Sequence, residues 1–111
     1  MTTAAPIEKN HRRLKRKVAK RGTTISCRKG LGLGPNLAVG IKDLSEEGIR
    51  LLVREWITKG TDVEIALTGV GLSKPITLMG EVMWCNPIES GFLLGVRFRI
   101  RIGYADFFHL T

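Results

Sequence analysis

The amino-acid sequence is divided into short β-type segments by turn residues that recur about every ten positions. The clearest segment is residues 61–68, TDVEIALT, in which Val63, Ile65 and Leu67 alternate with polar or small residues. Alternate side chains of a strand point to opposite faces, so this segment is predicted to be a half-buried strand. Five other segments have β-branched or alternating character, namely residues 23–28, 37–43, 48–54, 76–84 and 92–102.

Six short strands with short connections predict an all-β fold with antiparallel pairing. A sandwich and a barrel both fit the pattern. A six-stranded antiparallel β-barrel is preferred, because closing a sheet removes its exposed edges. Residues 103–110 are predicted to form a short C-terminal helical turn. Residues 29–36, KGLGLGPN, are predicted to be a flexible hairpin connection, because the glycines lack the spacing of a nucleotide fingerprint and no helical pattern follows.

Positive charge is concentrated at the N-terminus of this chain of net charge +8. Residues 1–29 hold ten lysines and arginines and one acidic residue, whereas the rest of the chain holds eight cations and nine anions. We therefore predict a flexible basic N-terminal arm over residues 1–21 and a β-barrel domain over residues 22–111. Such an arm indicates an anionic partner, such as nucleic acid, a nucleotide or a membrane surface, or else a solubilising tail.

Several classes of function find no support in the sequence. The apolar runs are too short to span a bilayer, and no secretion signal is visible, so we expect a cytoplasmic protein. Cys27 and Cys85 are interpreted as packed free thiols. Together with His11 and His109 they do not suggest a metal site. No nucleophile–base constellation is present, so we expect a binding module, not an enzyme, without metal or cofactor.

Two short motifs carry binding chemistry. In RRLKR, Arg12 and Arg16 are four residues apart, and a guanidinium group can bond the O6 and N7 edge of guanine, stack on a base or contact a phosphate. In DLSEEG, Asp43 can accept hydrogen bonds from guanine N–H groups and Ser45 offers a hydroxyl. Gly48 permits a positive φ and close approach of a ligand. Alternatively, these last three residues only stabilise an ordinary turn.

The two motifs, in this order and followed by β-type segments, make the sequence similar to the PilZ family of bacterial domains. Members carry R-x-x-x-R at the N-terminal edge and [D/N]-x-S-x-x-G on a six-stranded barrel. The segments GEVMW (80–84) and GFLLGVRF (91–98) also resemble the last strands of the family. The resemblance covers roughly residues 12–108.

The resemblance implies a receptor for cyclic di-GMP, often bound as an intercalated dimer. Arg12 and Arg16 would hold guanine edges and phosphates, Asp43 and Ser45 would contact guanine from the barrel, and Gly48 would leave room for it. Ligand binding would then order the arm and signal to a downstream protein partner.

Two further arginines are weaker candidates for the same site. Arg13 is a candidate for phosphate or stacking contact, and Arg50 lies two residues beyond Gly48, on the same strand face. Two alternative functions stay open: a nucleic-acid-binding small barrel and a PilZ-like protein adaptor without ligand. Nucleic acid is the less favoured partner, because Tyr104 is the sole tyrosine and no strand shows paired aromatic residues for base stacking.

Other conspicuous residues allow two interpretations. Arg97, Arg99 and Arg101 alternate with apolar residues, which indicates either a solvated strand face or a basic stripe that joins the arm around an anion. Trp84 is predicted to lie in the core or at the barrel rim. Trp56, in a polar loop, is a candidate for a surface that contacts a partner.

Overall fold

The computed structural model of the protein describes residues 15–111. It contains six strands and one short helix in the order β1 (Thr24–Lys29), β2 (Ala38–Leu44), β3 (Gly48–Val53), β4 (Asp62–Thr68), β5 (Ile76–Ile88), β6 (Gly91–Phe98) and α1 (Tyr104–Leu110). No helix in this part of the chain has the length and apolar character needed to cross a membrane.

All six strands form one antiparallel sheet in the order β1-β4-β5-β6-β3-β2. Three neighbouring pairs are joined by short connections, whereas β1–β4 and β3–β6 pair across longer stretches of chain. The sheet curls into a half-barrel, and its two outer strands meet where the Leu37 N–H donates to the Cys27 carbonyl at 2.8 Å. The predicted six-stranded antiparallel barrel with a short C-terminal helix is confirmed.

The concave face of the sheet forms the hydrophobic core. The alternation predicted in β4 is confirmed, because Val63, Ile65 and Leu67 are fully buried. The inward residues of β3 and β6 lie against them, and α1 covers the open side with Phe107 and Leu110. Cys27 is part of this core, where burial raises the pKa of its thiol to about 11 and keeps it protonated.

Two strand ends differ from the prediction. β5 continues beyond Trp84 to Ile88. A register shift between Val82 and Trp84 bends the strand, and its last residues stay paired with β6. Pro87 is tolerated there because β4 no longer pairs with this part of β5. β6 ends at Phe98 and not at residue 102, because the chain bends away to bond the 45–47 turn.

The segment before β1 crosses the end of the half-barrel. Lys17 and Leu44 exchange two backbone hydrogen bonds of 2.8 and 2.9 Å, in an isolated antiparallel bridge. Three residues later the Lys20 N–H donates to the Leu110 carbonyl at 2.7 Å. Residues 17–20 therefore run from the end of β2 to the end of α1, and Arg16 is held next to the β2–β3 turn.

We expect Gly48→Ala to destabilise the fold by about 1–3 kcal/mol, because a Cβ at this position would lie 2.5 Å from the Val96 carbonyl oxygen of β6. Gly40→Ala in β2 is a matched control, since its Cβ would meet no atom within 4 Å. Urea denaturation measures both changes. Equal effects of the two substitutions would contradict the packing argument.

Candidate functional site

The two sequence motifs meet at the end of β2. Arg16 Nη1 donates a 3.0 Å hydrogen bond to Asp43 Oδ1, across 27 positions of the sequence. The contact follows from the fold, because the Lys17–Leu44 bridge places Arg16 beside the last residues of β2. Of the predicted site residues, Arg16, Asp43, Ser45, Gly48 and Arg50 are brought together. Arg12 and Arg13 lie outside the described residues.

Asp43 has a second guanidinium partner in Arg50. The two residues are direct neighbours in the β2–β3 ladder. Arg50 Nε donates to Asp43 Oδ1 at 2.9 Å, and Arg50 Nη2 donates to Asp43 Oδ2. The Asp43 carboxylate therefore accepts a two-pronged contact from Arg50 and one bond from Arg16. Arg50 was a weak sequence candidate for added charge, and its actual contact is with the acidic residue of the motif.

The charge state of Asp43 follows from these contacts. The side chain is only 12% exposed, and burial alone would raise its pKa. The hydrogen bonds and positive charges of Arg50 and Arg16 outweigh that effect and hold the pKa of Asp43 below its usual value. The same hydrogen bond raises the pKa of Arg50. Asp43 is therefore a stable carboxylate. Asp43, Arg16 and Arg50 together carry a net charge of +1.

Ser45 forms the turn that follows. Its N–H donates to the Gly48 carbonyl at 2.8 Å, and its Oγ accepts the Glu47 N–H at 3.3 Å. The hydroxyl thus stabilises the turn locally, as one of the two sequence interpretations requires. Ser45 also lines the cleft described next.

Gly48 has a different role from the one expected. It does not have a positive φ, so the expectation of a left-handed turn residue is wrong. It begins β3 opposite Arg97 of β6, and its Cα lies so close to the Val96 carbonyl that no side chain fits. Glycine is thus required at position 48 because the backbone of β6 comes so close to it.

A cleft of about 280 Å³ opens beside these residues on the convex face of the sheet. Gly48 of β3 brings no side chain to its floor, and at Gly95 of β6 the floor is the indole of Trp84. Trp84 lies over Gly95, where a Cβ would come within 2.3 Å of the indole. The lining residues are Arg16, Ser45, Glu47, Gly48, Met83, Trp84, Gly95, Val96 and Arg97.

Sequence reasoning missed Trp84 and Arg97 as residues of this cleft. Trp84 was interpreted only as core or rim, because its outward position depends on the register shift in β5. Arg97 was one of three alternating arginines, but it alone lies within a strand. Its register partner is Gly48 of the motif, and this pairing could not be derived from the spacing of residues.

The other two arginines of the alternating run are paired with carboxylates. Arg101 Nη2 contacts Glu47 Oε2 at 3.1 Å, and Arg99 forms an ion pair with Asp62. They line a second opening next to Arg97, between the end of β6 and Glu81. Such exposed pairs contribute little stability. Among residues 15–111, no group of three His, Cys, Asp or Glu side chains could hold a metal ion.

These features define the class of domain: a curled antiparallel β-sheet with a polar cleft lined by arginine side chains and the Trp84 indole. The sequence profile of the family described as PilZ domain matches residues 10–106. The chain therefore belongs to the PilZ domain family, a family of cyclic di-GMP receptors, and the resemblance noted from its motifs is confirmed. Comparison with curated proteins and with solved structures finds no significant match.

We expect Asp43→Asn to lower the free energy of unfolding by about 1–3 kcal/mol at pH 7, because two arginines lose their charged acceptor. The folded-state pKa of Asp43 is lowered, so its contribution is present above the unfolded-state value near 4 and is lost as the pH falls through the folded-state value. The difference between parent and variant should therefore shrink below about pH 4.

Denaturation at several pH values measures this difference. Glu89→Gln, at an exposed carboxylate in the β5–β6 turn, is the matched control and should change stability by less than about 0.5 kcal/mol. A difference for Asp43→Asn that stays constant down to pH 2 would contradict the assigned ion pairs.

Proposed function

We propose that this domain is a cyclic di-GMP receptor that binds its ligand in the Arg16–Asp43 cleft without turnover. The observation that carries the proposal is that Arg16 of the first motif lines one cleft with Ser45 and Gly48 of the second, while Arg16 Nη1 lies 3.0 Å from Asp43 Oδ1 beside it. Membership of the PilZ family supplies the ligand class. A doubly negative ligand also suits a chain of net charge +8.

Binding proceeds by exchange of one partner of Asp43. Arg16 is 38% exposed and makes one bond to the carboxylate, whereas Arg50 makes two. Arg16 is thus the partner that can turn to a phosphate or a guanine edge. Arg50 then stays on Asp43 and keeps the carboxylate ionised and oriented for guanine N–H groups.

The cleft supplies the remaining contacts. Gly48 brings no side chain into the cleft, and the outer face of the Trp84 indole, which covers Gly95, offers a surface on which a purine can stack. Arg97 lines the same cleft and is available for a phosphate. Arg12 and Arg13 would approach from the arm and complete the enclosure of the ligand. The ligand would be either one molecule of cyclic di-GMP or an intercalated dimer of it.

The output of binding is a change in the arm. Arg16 lies one residue before the Lys17–Leu44 bridge, so its movement onto the ligand repositions the chain that precedes it. The surface offered to a downstream protein partner then differs between the free and the bound domain. We place this receptor in the cytoplasm, where the messenger is found.

We expect Arg16→Ala and Arg12→Ala each to weaken cyclic di-GMP binding at least about tenfold, or 1.4 kcal/mol, since each removes a charge-assisted contact. Isothermal titration calorimetry measures the affinities. Arg54→Ala, an exposed arginine beyond β3, is the control and should leave the affinity within about twofold. Unchanged affinity in both motif variants would reject this assignment of the arginines.

Titrations with GTP and single-stranded DNA separate the alternative functions. A nucleic-acid binder would prefer DNA and lose affinity steeply with salt. An adaptor without ligand would bind none of the three. Either result would overturn the proposal.

We also expect ligand binding to change the fluorescence of Trp84, because a purine would stack on its indole. The single-tryptophan variant Trp56→Phe isolates this signal, and its Phe side chain can retain the edge contact with Phe92. Quenching that saturates at the calorimetric stoichiometry is the expected result. Calorimetric binding without any change in emission would exclude Trp84 from the site.

A further inference from the structure

Apolar side chains protrude from the end of the half-barrel away from Asp43, which we call the distal end. Here β2 begins and β3 ends, and the Arg54 N–H donates to the Leu37 carbonyl at 3.0 Å. The β1–β2 loop, residues 30–37, lies at this end and exposes Leu31 to 82% and Leu33 to 92%. Exposure this complete is unusual for two leucines so close in sequence.

The leucines protrude because the loop that carries them is held at its base. Arg28 Nη1 donates to the Gly34 carbonyl at 2.7 Å. Asn36 Oδ1 accepts the N–H groups of Cys27 and Ala38, both at 2.9 Å. Gly32 lies against the Glu64 carboxylate on the body of the domain. The loop backbone thus contacts the domain, while Leu31 and Leu33 point outward.

The distal end includes further apolar groups. The ion pair between Lys29 Nζ and Glu55 Oε1, at 3.3 Å, joins the leucine loop to the segment that follows β3. The next residue, Trp56, is 51% exposed and packs edge-on against Phe92 with 5.9 Å between ring centroids. Ile88, at the adjoining β5–β6 turn, is also exposed.

Charge favours an anionic partner at this end. The loop segments 28–36, 54–60 and 88–91, together with the Glu64 carboxylate against Gly32, carry a net charge of +1, from the four cations Arg28, Lys29, Arg54 and Lys59 and the three anions Glu55, Glu64 and Glu89. Each basic side chain near an anionic bilayer contributes about 1 kcal/mol of attraction. A half-exposed tryptophan is also the side chain that prefers the level of lipid headgroups.

From these observations we propose that the distal end docks on the surface of an anionic lipid bilayer, with Leu31 and Leu33 inserted among the acyl chains. A bilayer accepts isolated protruding leucines without a shaped pocket, whereas a protein partner must provide a complementary cavity for each. The inserted residues lie on a glycine-rich loop between basic side chains, which keeps the charged groups at headgroup level.

Docking leaves the ligand cleft free. Ala38 and Asp43 are five residue steps apart in β2, or about 17 Å along an extended strand. A domain bound to a membrane in this way would present the cleft beside Arg16 and Asp43, and the arm, on its side facing away from the bilayer.

The proposal goes beyond cyclic di-GMP binding and does not depend on it.

The test is co-sedimentation of the full chain with two kinds of vesicle. One is pure phosphatidylcholine, and the other contains about one third phosphatidylglycerol, the anionic lipid. Binding is measured near 0.1 M salt and again near 0.5 M, where a Debye length of about 4 Å suppresses attraction by the basic arm. The variant is Leu31→Ser with Leu33→Ser. The matched control is Val70→Ser with Ile100→Ser, which removes two equally exposed apolar side chains outside the distal end.

We expect the parent chain to prefer the anionic vesicles, and the double leucine variant to lower the partition coefficient at least about fivefold at both salt concentrations. The valine–isoleucine control should lower it less than about twofold. Cyclic di-GMP affinity should be unchanged in the leucine variant, so failure of ligand binding and failure of docking are separate results.

Two outcomes would overturn the proposal. If the leucine variant sediments like the parent, vesicle binding belongs to the basic arm and the distal end takes no part. If the parent does not bind vesicles but forms a leucine-dependent dimer in sedimentation velocity, the distal end contacts a second copy of the chain.

Discussion

The buried carboxylate of Asp43 is the group on which the arrangement of this domain depends. A carboxylate withdrawn from water is costly unless it is paired, and here two guanidinium groups pair it. Arg50 comes from the adjacent strand, whereas Arg16 comes from a segment 27 residues away. One side chain therefore joins the β2–β3 ladder, the N-terminal segment and the cleft. Arg16 of the first motif and Asp43 of the second are thus bound to each other.

Glycine at two positions connects the fold to this site. Gly48 and Gly95 lie on neighbouring strands, and each is in contact with a group that leaves no room for a side chain, the Val96 carbonyl and the Trp84 indole respectively. Gly48 consequently adds no side chain to the cleft, and the Trp84 indole covers the sheet at Gly95. The close packing at these two glycines thus sets the shape of the cleft.

Much of the fold could be predicted from the sequence, because periodicity is a local property. The alternation of Val63, Ile65 and Leu67 was sufficient to place β4 and its buried face. The end of β6 was predicted wrongly because the same alternation continues through Ile102, whereas a hydrogen bond from the Ile102 N–H to the Glu46 carbonyl takes the chain out of the sheet. β5 was predicted too short, since the register shift before Trp84 leaves no signal in residue types.

The candidate site was predictable in its residue types but not in its contacts. Motif spacing identified Arg16, Asp43 and Ser45, yet the pairing of Asp43 with Arg50 requires strand register, and the contribution of Arg97 requires the pairing of β3 with β6. Contacts between distant parts of a chain are fixed by tertiary structure, and no local pattern encodes them. The same limit applies to Trp84, whose position over Gly95 follows from the bend in β5.

The proposed exchange of one Asp43 partner is tested most directly by NMR during a cyclic di-GMP titration, following the guanidinium N–H resonances of Arg16 (Nη) and Arg50 (Nε). The Arg16–Asp43–Arg50 arrangement predicts a large shift of the Arg16 resonance, with the Arg50 resonance still in its hydrogen-bonded position. An Arg16 resonance that does not move at saturating ligand would contradict it.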